Sequence, residues 1–352
     1  MKISLMFFSS LTDSGQAEKY RLLFEVARRA DESQFTAIWT PERHFHPFGG
    51  IFPNPSVTSA ALAVATKRLQ IRAGSLISPL HHSIRIAEDW SVVDNLSGGR
   101  VAVAFGSGWN VNDFIFFPER FAERKSIMFS QIEAITRLWK GETLSFINSQ
   151  DRMIDVRLFP SPIQAELPIW VTSSGDSNTF VKAGEIGANV LTHLIGQDFN
   201  QLKLKIDKYK AARERVGLKR NEGTVTLMMH TYLSTNARQA TAEAREPLRA
   251  YIKSSITLEN EAAAGGGTVS GGRLAHDRKL SPSMEAELLE FTVDRYLNSA
   301  SLIGDEDSAL TLIKQLKDIG INEIACLIDF GISPESVLAS LSLVDRLVQF
   351  NQ

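Results

Sequence analysis

Short β-rich runs alternate with helical patterns from one end of this chain to the other, and that alternation constrains the fold more than any single motif. The runs cover residues 3–8, 37–40, 69–73, 100–105, 168–172, 188–192, 225–232 and 323–327. Strands separated by helix-length segments pair in parallel, and eight such units close into a (β/α)8 TIM barrel. Over residues 18–33, Tyr20, Leu23, Phe24, Ala27 and Ala30 share one helical face. The last helix opens with Ser333 as N-cap and Pro334 in first position, then repeats Val337, Leu338, Leu341, Val344 and Leu347. Another begins near Asp305 and stops at Gly320. Two segments break the rhythm. Residues 143–158 are polar and mixed, as in an excursion holding a hairpin. Residues 259–283 carry Gly265-Gly266-Gly267 and Gly271-Gly272, then Arg273, His276, Asp277, Arg278 and Lys279. Such an insertion is either a spacer or a lid, and near a barrel mouth a mobile lid is expected. No stretch reads as a domain linker, so residues 1–352 are expected to form a single barrel domain with these insertions.

A net charge of −2 gives no electrostatic case for nucleic acid or an anionic membrane. Residues 3–8 are too short for a signal peptide, and no apolar run reaches spanning length, so a cytoplasmic protein is expected. Cys326 is the only cysteine, which excludes an intrachain disulfide. It lies in an apolar strand run and reads as a buried structural thiol.

Polar clusters follow the strands, which is where barrels keep their chemistry. Directly after residues 37–40 comes Pro41-Glu42-Arg43-His44-Phe45-His46, an acid, a guanidinium and two imidazoles within five residues. Gly74-Ser75 offers small side chains against which a flat ligand can press. His81 and His82 follow, but no spacing with His44 and His46 matches a zinc arrangement, and no metal site is expected. After the fourth run come Ser107, Trp109 and Asn110, donors beside glycine, with Trp109 either a stacking surface or core. After the fifth come Ser173, Ser174 and Ser177 at the start of a helix, either a phosphate cradle or a plain N-cap. Thr192 and His193 come at the end of the sixth, where a buried, satisfied histidine is the plainer reading, and His230 lies within the seventh, facing core or cavity. No dinucleotide fingerprint, Walker loop or nucleophile elbow occurs in a supporting context. Hydroxyl-rich loops at a barrel mouth point instead to a phosphorylated cofactor such as flavin mononucleotide (FMN).

Assembled in order, these segments resemble the bacterial luciferase-like flavin monooxygenases. The resemblance is carried by Glu42-Arg43-His44-Phe45, Ile86-Ala87-Glu88-Asp89, Asp94-Asn95-Leu96-Ser97-Gly98-Gly99-Arg100, Gly108-Trp109-Asn110 and Asp113-Phe114. It spans nearly the whole chain. Pro41–His46 and the run Ala325-Cys326-Leu327-Ile328-Asp329-Phe330-Gly331 most resemble the subgroup found with nonribosomal peptide and polyketide synthases. By resemblance, Gly74-Ser75 is a non-prolyl cis peptide beneath the flavin, and Ser173, Ser174 and Ser177 hold its phosphate. Ser107 stands where luciferase has a phosphate-binding arginine, for which Arg124 is a candidate substitute. Arg43 stands in place of the family's first histidine and would bind an anion. His44 matches the second and is the preferred catalytic residue, with Glu42 beside it; Trp109, Asn110 and His193 complete the candidate cofactor contacts.

The resemblance implies a monooxygenase using reduced FMN from a separate flavin reductase, through a flavin C4a-(hydro)peroxide. It also implies an organic substrate tethered to an acyl or peptidyl carrier protein, and a homodimer. Two other readings share the barrel: a deazaflavin (F420)-dependent hydride-transfer enzyme, and a non-catalytic partner subunit.

Overall fold

The computed structural model describes residues 1–8, 15–173, 175–264 and 281–350. Its strands are β1 (Lys2–Met6), β2 (Ala37–Thr40), β3 (Gln70–Ile77), β4 (Val101–Gly106), β5 (Leu144–Ile147), β6 (Met153–Val156), β7 (Ile169–Thr172), β8 (Asn189–His193), β9 (Val225–Leu233), β10 (Leu302–Gly304) and β11 (Glu323–Leu327). Eight of them form a ring in the order β1-β2-β3-β4-β7-β8-β9-β11, all parallel. Pairing of Ile3 with Ile324 and of Leu191 with Thr226 closes it, leaving no free edge among the ring strands. The fold is therefore the expected (β/α)8 barrel. β10 is an addition that pairs on β9 outside the ring, and β5 and β6 form the antiparallel hairpin expected of the first excursion.

The helices are α1 (Gln16–Glu32), α2 (Pro55–Ala65), α3 (Ser83–Ser97), α4 (Arg124–Trp139), α5 (Ser177–Glu185), α6 (Phe199–Arg215), α7 (Ala237–Ala264), α8 (Pro282–Arg295), α9 (Glu306–Asp318) and α10 (Pro334–Phe350). Three expectations need correction. In α1 the buried face is Leu22, Leu23, Val26, Ala27 and Ala30; Tyr20 instead stays at the rim and donates its hydroxyl to the Ile51 carbonyl. Gly74 and Ser75 lie inside β3 rather than after it, at a register shift against β4. The second excursion is shorter than expected, because α7 continues through Glu259 to Ala264 and α8 begins at Pro282. The glycine run and Arg273, Arg278 and Lys279 lie outside the described residues.

The barrel interior is tied across by a buried ion pair. Arg72 Nη1 donates to Glu323 Oε1 at 2.8 Å, and the same oxygen accepts from Ser4 Oγ at 2.6 Å. Trp39 Nε1 donates to Ser4 Oγ. The Arg72 guanidinium packs on the rings of Trp39 and Trp170, at 4.7 and 4.4 Å, and also donates to Gln70. Cys326 is fully buried on β11, where burial pushes its thiol up to about 12, as a structural cysteine requires.

Removing one member of a buried pair strands the other charge. Glu323→Ala is expected to cost about 3–5 kcal/mol in denaturant unfolding. The double variant Arg72→Met, Glu323→Leu should recover most of that loss, as a double-mutant cycle will show.

Candidate active site

The ring strands all end at one mouth, and the loop after β2 carries the densest chemistry there. The backbone N–H of Arg43 donates to the Phe52 carbonyl, which folds the loop back on itself. Gly49 makes the return close: at φ 79° a Cβ there would stand 3.0 Å from Cβ and Cγ of Arg43. The Glu42 carboxylate is buried at 4 % exposure. Its Oε2 accepts from the Ile77 N–H at 2.6 Å, while Oε1 faces His44 Nε2 at 3.0 Å and His81 Nε2 at 2.6 Å. Burial alone would push this carboxyl up; the hydrogen bonds from His44, His81 and Ile77 outweigh it and hold it below the usual range. Burial likewise pulls His81 down, but its bond to Glu42 wins and its imidazolium is favoured. The result is a Glu42–His81 pair close to neutral overall, with His44 hydrogen-bonded to the same oxygen. With Nε2 directed at the carboxylate, His44 has Nδ1 as its remaining nitrogen. Its ring packs edge-on against Phe116 at 5.0 Å.

Arg43 is buried at 8 % exposure against Phe8 and Trp109, each ring centroid 5.3 Å from its guanidinium carbon. Asp113 approaches to 3.9 Å. Burial pushes Asp113 up to about 6 and Glu259 up to about 7, in both cases against the pull of Arg43. His230, open to either reading in the sequence, is enclosed by Tyr251, Tyr296 and Phe330 at 4.8–5.4 Å, and its Nε2 has no hydrogen-bond partner among the described residues. Burial, then His193, lowers it to about 3. It is a neutral histidine.

The loops assigned to the cofactor meet at the same mouth. The Gly74–Ser75 peptide is cis, and Ser75 Oγ donates to Thr172 Oγ1 at 2.7 Å, joining β3 to β7. Ser107 and Trp109 are partly exposed beside them. Asn110 is committed within its own loop: it caps the next turn and donates to Asp113 at 2.8 Å. Arg124 donates to the carbonyls of Gly108 and Phe121. Ser173 ends β7 and Ser177 opens α5, whose N-cap is Asp176; Ser174 lies outside the described residues. Lys125 pairs with Asp176 at 2.8 Å and Lys208 reaches Ser177 Oγ at 3.5 Å. A helix amino terminus flanked by two lysines fits a phosphate, so this donor set suits FMN. His193 accepts from the Ile195 N–H, and burial, then Lys205, lowers it to about 4. His82 is turned away as the N-cap of α3.

His81, Asp113, Glu259 and Tyr251 were not assigned roles from the sequence. Only Asp113 had a signal, as part of the Gly108–Phe114 segment. Glu259 is one position in a helical pattern, and nothing in its neighbours shows that it turns toward Arg43.

Two titrations check this geometry. The His81 imidazole should titrate above 6.5 by NMR and fall below its wild-type value in Glu42→Gln. A raised histidine and a lowered carboxyl stabilise the fold together only between their two values, so this contribution should fade at both ends. Glu259 behaves oppositely. Its carboxyl is raised from 4.5 to about 7, so the folded state holds a proton that the unfolded state releases, and stability falls as pH climbs through that window. Glu259→Gln should therefore gain melting temperature over wild type from pH 4.5 upward, levelling off above pH 7.

Comparison with known proteins gives the family and supports the fold. The chain is 25 % identical over 353 aligned residues to the oxygenase component of a flavin-dependent trigonelline monooxygenase from Acinetobacter baylyi, covering 97 % of this chain and 92 % of that one. It is 26 % identical to an F420-dependent glucose-6-phosphate dehydrogenase from Amycolatopsis mediterranei, over 86 % of this chain and 87 % of the other. The oxygenating constituent of 3,6-diketocamphane monooxygenase from Pseudomonas putida, solved with FMN, superposes with a TM-score of 0.76 at 17 % identity, covering 99 % of this chain and 97 % of that one. The family description "luciferase-like monooxygenase" matches residues 1–323, and the chain belongs to that family.

Proposed function

We propose that this chain is the oxygenase of a two-component, FMN-dependent monooxygenase, with reduced FMN delivered by a separate flavin reductase. The observation that carries the reading is the Glu42–His44–His81 cluster at the mouth where the Gly74–Ser75 and Ser173–Ser177 segments converge. Reduced FMN, when bound, supplies the electrons that activate dioxygen. The residues of the chain do the rest. Ser177, the α5 amino terminus and the lysines beside it hold the phosphate, and Ser75 and Trp109 border the ring site. His44 moves the proton: it accepts at Nδ1, and the Glu42 carboxylate at Nε2 stabilises the imidazolium that results. Pairing with His81 keeps Glu42 ionised for that task. The aromatic side chains Phe8, Phe45, Trp109 and Phe116 shed water from the mouth.

Within this reading the substrate is an organic molecule of natural-product biosynthesis, delivered on an acyl or peptidyl carrier protein. The support is the segment resemblance at Pro41–His46 and Ala325–Gly331. A homodimer completes the reading, supported by the outward Val57 and Val64 of α2 and Val92 and Leu96 of the adjoining α3. No helix among the described residues is long and apolar enough to cross a membrane. The F420-dependent relative favours a second reading, hydride transfer on the same barrel.

Cofactor titrations followed by flavin fluorescence separate the two. FMN should bind more tightly than riboflavin and than F420. Ser177→Asp should weaken FMN at least about tenfold while changing riboflavin little, since only FMN carries the repelled charge. Preference for F420 would establish the second reading. His44→Ala should keep FMN affinity, lower substrate turnover about 100-fold and release more hydrogen peroxide.

A further inference from the structure

Two buried arginines each contact two aromatic rings, and they differ in how their N–H groups are satisfied. Arg72 contacts Trp39 and Trp170 and donates to Glu323 and Gln70. Arg43 contacts Phe8 and Trp109, and its guanidinium makes no hydrogen bond among the described residues; Nε is fully buried and unpartnered. Asp113, the nearest carboxylate, stands at 3.9 Å, too far for a hydrogen bond, and spends Oδ1 on Asn110. A buried, unmatched guanidinium is costly, and a folded chain retains one where a ligand completes it.

The geometry limits what that ligand can be. Phe8 and Trp109 stand over the guanidinium, while its N–H groups lack hydrogen-bonding acceptors among the described residues. A partner lying in the guanidinium plane with two acceptor oxygens matches the paired N–H groups of arginine; a carboxylate has this shape. Arg43 and His44 also line one cleft of about 390 Å³, walled by Phe45, His46, Pro47, Gly50 and Pro53. That volume suits a small molecule. A group anchored at Arg43 leaves the rest of its molecule beside the imidazole of His44.

We propose that Arg43 is the receptor for a free carboxylate group on the substrate, separate from any carrier linkage, held in the cleft beside His44. The assignment rests on the reading that this mouth is the reaction site. Asp113 and Glu259, both raised by burial, are weak counter-charges for Arg43, which leaves its charge to an incoming carboxylate.

Calorimetric titration of the full chain, with and without FMN, tests this using benzoate and hexanoate, their amides, and inorganic phosphate. At least one acid should bind about tenfold or more tighter than its amide and tighter than phosphate. Arg43→Gln should abolish the preference, and Arg43→Lys should restore only part of it, because a lysine cannot make the two-pronged contact. FMN affinity should be unchanged in both variants. Equal binding of acids and amides, no binding of either acid, or a preference that survives Arg43→Gln would overturn the proposal. Tighter binding of phosphate would overturn it in favour of a phosphoryl anchor. Should Arg43→Gln fail to fold, the comparison of acid, amide and phosphate on the wild-type chain still decides. Loss of FMN binding with a retained acid preference would refute the flavin reading and leave Arg43 assigned.

Discussion

The buried Arg72–Glu323 pair is the constraint from which much of the barrel follows. It joins β3 to β11 across the interior, while Ser4 and Trp39 attach β1 and β2 to the same carboxylate and Trp170 of β7 covers the guanidinium. Placing a charge there is expensive, and it is tolerated because each nitrogen of Arg72 makes a hydrogen bond. Strands fastened near one end of the barrel present their other ends as a rigid rim. That rim is what lets Glu42 meet Ile77, and Ser75 meet Thr172, at hydrogen-bonding distance.

At the rim the electrostatics run the other way. Glu42 is held ionised by three donors, whereas Asp113 and Glu259 are pushed toward the protonated form by burial. Carboxyls gathered at one mouth from distant parts of the chain are thus set to different tasks by their surroundings alone. The neutral His230, enclosed by two tyrosines and a phenylalanine, adds a polar atom to an otherwise apolar wall.

Much of the barrel was legible in the sequence because parallel strands buried on both faces read as plain apolar runs. All eight ring strands fall within a few residues of their expected positions. What was not legible depended on contacts between distant segments. The α1 face was displaced toward Leu22 and Val26 because Tyr20 is satisfied by Ile51, a partner 31 residues away. Gly74–Ser75 was expected after its strand because glycine and serine are poor strand formers, yet pairing with β4 carries β3 through them. His81 had been weighed only as a metal ligand, since its real partner, Glu42, lies on another loop. The Asp94–Arg100 segment, read as part of a family signature, proves to be a strut: Gly98 caps α3 at φ 70°, and Arg100 satisfies carbonyls of Ala63, Thr66 and Leu69.

Asp94 itself is fully buried, accepting from the N–H groups of Ile163 and Gln164 and from the Gln164 side chain. Gln164 in turn donates to the Val101 carbonyl and accepts from Trp139. The chain is therefore clamped to the barrel just after the β5–β6 hairpin, at a point that does not involve the hairpin at all. Length and sequence changes between Leu144 and Val156 are mechanically isolated from barrel closure and from the catalytic rim. This makes the hairpin the position where the scaffold can accept new surface, or an inserted module, while the register of β7 stays set.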